Sequence, residues 1–108
     1  QVSDADPVAG DTVRVTVYHK NVCGYLTGDN NVNKNVNVST VTINYGGTLG
    51  TTGLVAGYPT SVNLSSGEAS FNVTIASCVV AGTTTISATG SGVDTTTIGT
   101  LNIPAGCN

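Results

Sequence analysis

Thr12-Val13-Arg14-Val15-Thr16-Val17-Tyr18 alternates polar and apolar residues without a break. Successive side chains of a strand point to opposite faces, so Val13, Val15 and Val17 share one face while Thr12, Arg14 and Thr16 share the other. A strand of this kind buries one face and wets the other, and its valines need a second layer to cover them. No stretch of the chain repeats its apolar residues with helical period, so that layer is expected to be another sheet.

The sequence outward from this stretch agrees. Upstream, Gln1 to Asp6 reads as a short edge strand at best, stopped by Pro7, and Ala9-Gly10-Asp11 turns into the valine strand. Downstream, a polar loop runs from about Asn21 to Lys34. The next strand, Asn35 to Tyr45, slips phase: Val36 and Val38 hold one register, Val41, Ile43 and Tyr45 the other. A bulge near Ser39-Thr40, or a strand changing sheets, accounts for that. Gly46-Gly47 ends it. Weak strands are expected at Thr48 to Val55 and Thr60 to Leu64, then a turn at Ser65-Ser66-Gly67. Glu68 to Ile75 alternates, with Phe71, Val73 and Ile75 inward. Thr83 to Thr89 places Ile86 and Ala88 inward, and after Gly90-Ser91-Gly92 a long strand runs from Val93 to Ile103, stopped by Pro104. About seven short antiparallel strands with regular turns make an all-β, Ig-like sandwich, with residues 1–108 forming a single domain.

Composition narrows the function. Only 8% of the 108 residues are charged, so Thr, Ser and Asn must supply solubility. The basic residues are Arg14, Lys20 and Lys34 alone, too few for the cationic patch that nucleic-acid binding needs. No apolar run approaches the roughly 18 residues of a membrane span. Few carboxylates also leave few proton-linked contacts to lose in acid, which suits a protein kept in a harsh medium.

Export is the expected history of the chain. The sequence contains no Met and starts at Gln1, which reads as removal of a leader. Asn37, Asn63 and Asn72 begin Asn-x-Ser/Thr sequons, and their apolar flanks place each asparagine on the outward phase of its strand, where sugar would not disturb the core. Cys23, Cys78 and Cys107 form no C-x-x-C pair, and His19 has no ligand spacing to them, so a disulfide is expected rather than zinc. Counting strand reversals puts Cys78 and Cys107 at one end of the sandwich and Cys23 at the other. A Cys78–Cys107 bond would tie down the C-terminal tail and add about 2–4 kcal/mol. Cys23 is then a buried free thiol or an inter-subunit thiol, unless it takes Cys78 or Cys107 as its partner instead.

Catalytic chemistry has little to draw on. Asp4, Asp6, Asp11, Asp29, Glu68 and Asp94 are scattered, and Gly28-Asp29-Asn30-Asn31 offers one carboxylate among amides, an ordinary turn rather than a calcium loop. His19 sits beside Lys20 without a Gly-x-Ser-x-Gly elbow anywhere. No enzyme, cofactor or metal is expected. Tyr18, Tyr25, Tyr45 and Tyr58 are candidate sugar-stacking residues, with core-edge packing as their other role.

The order of these features resembles a known family. Ala9-Gly-Asp-Thr-Val-Arg-Val-Thr-Val, Asn33-Lys-Asn-Val-Asn-Val and Gly46-Gly-Thr-Leu-Gly are similar to bacterial Ig-like domains of the invasin/intimin type, as are Gly67-Glu-Ala-Ser-Phe-Asn-Val-Thr-Ile and Ala81-Gly-Thr-Thr-Thr-Ile-Ser-Ala. The likeness covers roughly residues 9 to 103. It implies a sandwich in the stalks, adhesins and fibres of prokaryotic surface proteins, with no catalytic residues. The chain departs from the family in its short first strand and its three cysteines. A poor first strand leaves a sheet edge that a neighbour fills by β-augmentation, so the chain also resembles the donor-strand-linked subunits of pili and of archaeal thread filaments. The expected role is a secreted structural subunit of an extracellular filament or cell-surface appendage, and the alternative is a carbohydrate-binding or adhesin module. The expected partners are copies of the chain itself, with surface glycans or other cell-surface proteins as further contacts.

Overall fold

A computed structural model of the chain describes residues 1–19, 31–32, 40–65, 68–90 and 93–108. Among them there is no helix; the strands are β1 (Thr12–His19), β2 (Asn31–Val32), β3 (Thr40–Gly46), β4 (Ser61–Asn63), β5 (Glu68–Thr74), β6 (Cys78–Val79), β7 (Gly82–Gly90), β8 (Val93–Ile103) and β9 (Gly106–Cys107). They form a three-stranded sheet of order β2-β1-β5, a four-stranded sheet of order β4-β3-β7-β8, and a separate β6-β9 ladder.

The valine strand behaves as its alternation dictates. Val13, Val15 and Val17 are wholly buried, and β5 pairs antiparallel beside them with Val73 buried in the same layer. Across the core, the four-stranded sheet contributes Val41, Ile43, Ile86, Ala88, Ile98, Leu101 and Ile103 to the same cluster. Two sheets thus face each other over one hydrophobic core, and burial of these branched chains is the main term holding them together. Thr84 is the one buried polar residue among those described; it takes the inward phase of β7, and its hydroxyl donates to the Gly50 carbonyl at 2.8 Å, so its burial leaves nothing unpaired.

Three features differ from the sequence reading. The first is β2, a short strand within the stretch expected as a polar loop, which runs parallel to β1 and pairs Tyr18 with Asn31 and His19 with Val32. A parallel neighbour needs a long return connection, and the sequence between the two strands has about the dozen residues required. The second is residues 48–55, expected as a weak strand. Residues 47–53 form turns instead, and Leu54 makes a lone bridge to Ile75. Gly47 takes φ +87°, and a β-carbon there would lie 2.6 Å from the Thr83 carbonyl oxygen, so only glycine fits. The turn then folds inward: Thr52 bonds back to the Leu49 carbonyl through both its amide and its hydroxyl, and Leu49 and Leu54 plug one end of the core.

The third is a phase change inside β8. Its register against β7 shifts between Ile86 and Ser87, where Gly99 pairs with Ile86 but Thr97 pairs with Ser87. One extra residue on β8 is a bulge, and the residue it absorbs is Ile98. Ile98 therefore turns inward with Leu101 and Ile103 although its numbering puts it out of step with them. The phase slip expected near Ser39-Thr40 falls mostly on residues 33–39, outside the described residues; β3 itself, from Thr40, keeps one phase with Val41 and Ile43 buried.

Candidate assembly edge and the disulfide-tied end

The N-terminal residues build the first site. Val2 bridges antiparallel to Val15 on β1. The Gln1 carbonyl accepts from the Thr16 amide at 2.8 Å, the Gln1 amine donates to the Thr16 carbonyl at 2.8 Å, and the Ser3 amide donates to the Arg14 carbonyl at 2.9 Å. Two residues on, the Ala5 carbonyl accepts from the Asn102 amide of β8 at 2.8 Å. The segment thus leaves one sheet and joins the other, closing one side of the sandwich.

A shape match fixes it there. A β-carbon on Gly99 would lie 2.9 Å from Val2 Cγ1, so a side chain there would displace Val2, and the bare backbone of β8 is the seat of Val2. Val2 packs from that seat against the hydrophobic core. The sheet edge expected to stand open is therefore covered along Arg14–Thr16 by the chain's own first residues. Sequence reasoning missed the seat, although a glycine inside a strand is the recognised sign of close backbone or side-chain approach.

The second feature lies where the chain ends its last turns. Cys78 and Cys107 sit directly opposite each other in the β6-β9 ladder, with Cα atoms 4.0 Å apart, and are joined in a disulfide. The expected pairing is the one the structure holds. Both cysteines are exposed. The Asn108 amide donates to the Ser77 carbonyl at 2.6 Å, and the Asn108 side chain fills the space over Gly10. An open groove of about 330 Å³ runs beside the disulfide, lined by Val79, Val80 and Gly106, with Val80 69% exposed.

The sequon residues divide. Asn63 and Asn72 are exposed, while their neighbours Val62, Leu64, Phe71 and Val73 turn toward the core. Thr40 Oγ1 donates to Asn63 Oδ1 at 2.8 Å, so the bond engages the amide oxygen and not Nδ2, the atom a glycan attaches to. Asn72 lies across from Arg14 on the outer face of β5 and β1. Asn37, Cys23, Tyr25, Asp29, Lys20 and Lys34 lie outside the described residues, as do the side chains of His19 and Asp94. Asp4 and Asp11 each accept a backbone amide, from Asp6 and Val8 respectively, as turn-forming aspartates do. Among the described residues no group of His, Cys, Asp and Glu has the arrangement of a metal site, and no helix is long and apolar enough to cross a membrane.

Two of the tyrosines meet each other. Tyr45 and Tyr58 pack edge to face with ring centroids 5.1 Å apart, both half-buried against the core, and Tyr45 donates its hydroxyl to the Pro59 carbonyl at 2.6 Å. Burial, with the neighbouring Tyr58 phenol adding to it, pushes the Tyr45 hydroxyl up from 10.0 to about 12. The unfolded chain ionises this group first, so the folded state loses stability as pH rises from about 10 to 12 and keeps the full contribution below that range. Tyr45→Phe is expected to remove the last step of the phenolate absorbance titration and to flatten the alkaline decline of the urea midpoint; amplitude lost near pH 10 with the last step intact would show that Tyr45 ionises like a free tyrosine.

Compared with protein-family models, with curated proteins and with solved structures, the chain matches none.

Proposed function

We propose that this chain is a non-catalytic structural subunit of an extracellular filament or cell-surface appendage, and that its copies join by exchanging the strand that covers the β1–β8 edge. The observation that carries the reading is the seat on Gly99. It is a preformed slot for one side chain of an extended segment, flanked by backbone groups on β1 and β8 that such a segment satisfies. Residues 1–5 fill the slot within one chain, and the same five residues of a neighbour satisfy the same groups in an assembly.

The topology supports an Ig-like sandwich. With β1 as strand B, β3 as C, β4 as C′, β5 as E, β7 as F and β8 as G, the B–E pair and the C′–C–F–G order match those of that fold, residues 1–5 would stand for a split strand A, and β2 has no counterpart in the mapping. The Cα atoms span 45 × 20 × 20 Å, a rod-like shape that suits end-to-end stacking. The reading also carries an oxidising, secreted location, in keeping with the disulfide, and sugars on Asn63, Asn72 and Asn37. The carbohydrate-binding alternative is weaker because Tyr45 and Tyr58 are engaged in packing rather than laid open on a sheet face.

Deletion of residues 1–6 tests the exchange. The truncated protein, checked for β-sheet by circular dichroism, is expected to stay monomeric and to bind a labelled peptide of sequence Gln-Val-Ser-Asp-Ala-Asp. The same peptide with Val2→Asp should lose that binding at least tenfold, since a carboxylate would be buried against the core without a partner. A folded truncated protein that ignores both peptides would remove the slot as an assembly site.

A further inference from the structure

We propose that the Cys78–Cys107 disulfide is a thiol-exchange site, opened by an incoming thiolate while the sandwich stays folded. This inference does not depend on the filament reading, because it rests on the β6-β9 ladder alone.

Three observations carry it. The first is exposure: both cysteine residues are exposed, so the bond lies at the surface and not in the core. The second is separation. The β6-β9 ladder belongs to neither of the large sheets; Val79 is its one residue packed on the core, and Pro104, Ala105, Gly106, Cys107 and Asn108 are all exposed, so the Cys107 side of the bond is held by little buried surface. The third is the groove of about 330 Å³ along the ladder, whose walls include Val79 and Val80. It gives the segment or molecule bearing the thiolate an apolar wall to lie against, beside the sulfurs it attacks.

The step balances without an oxidant. The incoming thiolate attacks one sulfur of the pair and forms a mixed disulfide with it. The Cys78–Cys107 bond breaks, its electron pair leaves on the other sulfur, and that thiolate takes up the proton released when the incoming thiol ionised. One thiol is consumed and one is produced. The chemistry has two sources here: a small free thiol, or Cys23 of a second copy, the cysteine left over from the disulfide in a chain of three. Exchange with Cys23 would link copies covalently and pass a free thiol to each newly joined one.

Two arms separate the sources. In the first, Cys23→Ser protein is incubated with reduced glutathione at mildly alkaline pH, then alkylated, digested and mapped by mass spectrometry. A single glutathione on Cys78 or Cys107, with the other cysteine alkylated and the circular dichroism unchanged, is the expected result. In the second, concentrated wild-type protein is run on non-reducing gels, and multimers are mapped for Cys23–Cys78 or Cys23–Cys107 bonds. Adduct without multimers assigns the site to small thiols; multimers without adduct assign it to a second copy. An intact Cys78–Cys107 bond in both arms, or exchange only in molecules that have lost their β-sheet signal, would overturn the proposal.

Discussion

Replacing Ile86 with alanine is expected to lower the unfolding free energy by about 3–4 kcal/mol, the cost of emptying a fully buried branched side chain that the surroundings cannot refill. Ile86 is 0% exposed and sits on β7, paired with Tyr45 of β3 on one side and Gly99 of β8 on the other. Its neighbours are held by two ladders, so they cannot collapse into the space. Domains of this size hold only about 5–15 kcal/mol in total, so the melting temperature should fall by roughly 15 °C. Val80→Ala serves as the comparison: at 69% exposure it should change stability by less than about 0.5 kcal/mol. Urea unfolding of both variants measures the difference. A cost below about 1 kcal/mol for Ile86→Ala would mean that the two sheets do not share one packed core.

Removing the disulfide is the second large effect. Cys78 and Cys107 are 29 residues apart in sequence, and a loop of that length restricts the unfolded chain by about 3–4 kcal/mol in the chain-entropy account. The Cys78→Ser, Cys107→Ser double variant should therefore unfold at a much lower urea concentration. It should nonetheless keep its far-ultraviolet β-sheet signal in buffer, because β6 and β9 belong to neither large sheet and only Val79 of the ladder packs against the core, from its margin. Hydrogen exchange should quicken first at residues 104–108 and around Ser77. A double variant with no β-sheet signal at room temperature would show that the ladder is part of the core's support and not an addition to it.

What the sequence made legible follows from where local pattern is sufficient. β1 is readable because Val13, Val15 and Val17 alternate perfectly with polar residues, and period-2 alternation admits only one inward face. β8 is readable from its ends, since Gly92 precedes it and Pro104 cannot continue it. The disulfide is readable because strand reversals fix which loops share an end. Alternation fails where a single residue changes the count. Ile98 looks like an outward residue until the bulge at Ile86/Ser87 is known, and a bulge depends on its partner strand rather than on its own sequence. Residues 48–55 carry β-branched residues in plenty, yet Gly47 and the back-bonded Thr52 bend them into turns. The candidate site was the least legible part. Val2 and Gly99 are joined only by the fold, and a short apolar residue near one end of a chain says nothing of the glycine that receives it.

The same pair offers the most direct test of strand exchange. An ideal β-carbon on Gly99 lies 3.5 Å from the Val2 β-carbon, inside the roughly 3.5–4.5 Å that a disulfide requires. Val2→Cys with Gly99→Cys, in a Cys23→Ser background, should therefore oxidise readily wherever residues 1–5 occupy the groove. Isotopically labelled and unlabelled copies are mixed at high concentration, oxidised and analysed on non-reducing gels with mass mapping of the 2–99 link. The proposed assembly predicts a ladder of covalent multimers in which labelled residue 2 is bonded to unlabelled residue 99. A single monomer band at every concentration, with the link formed only within each chain, would contradict it.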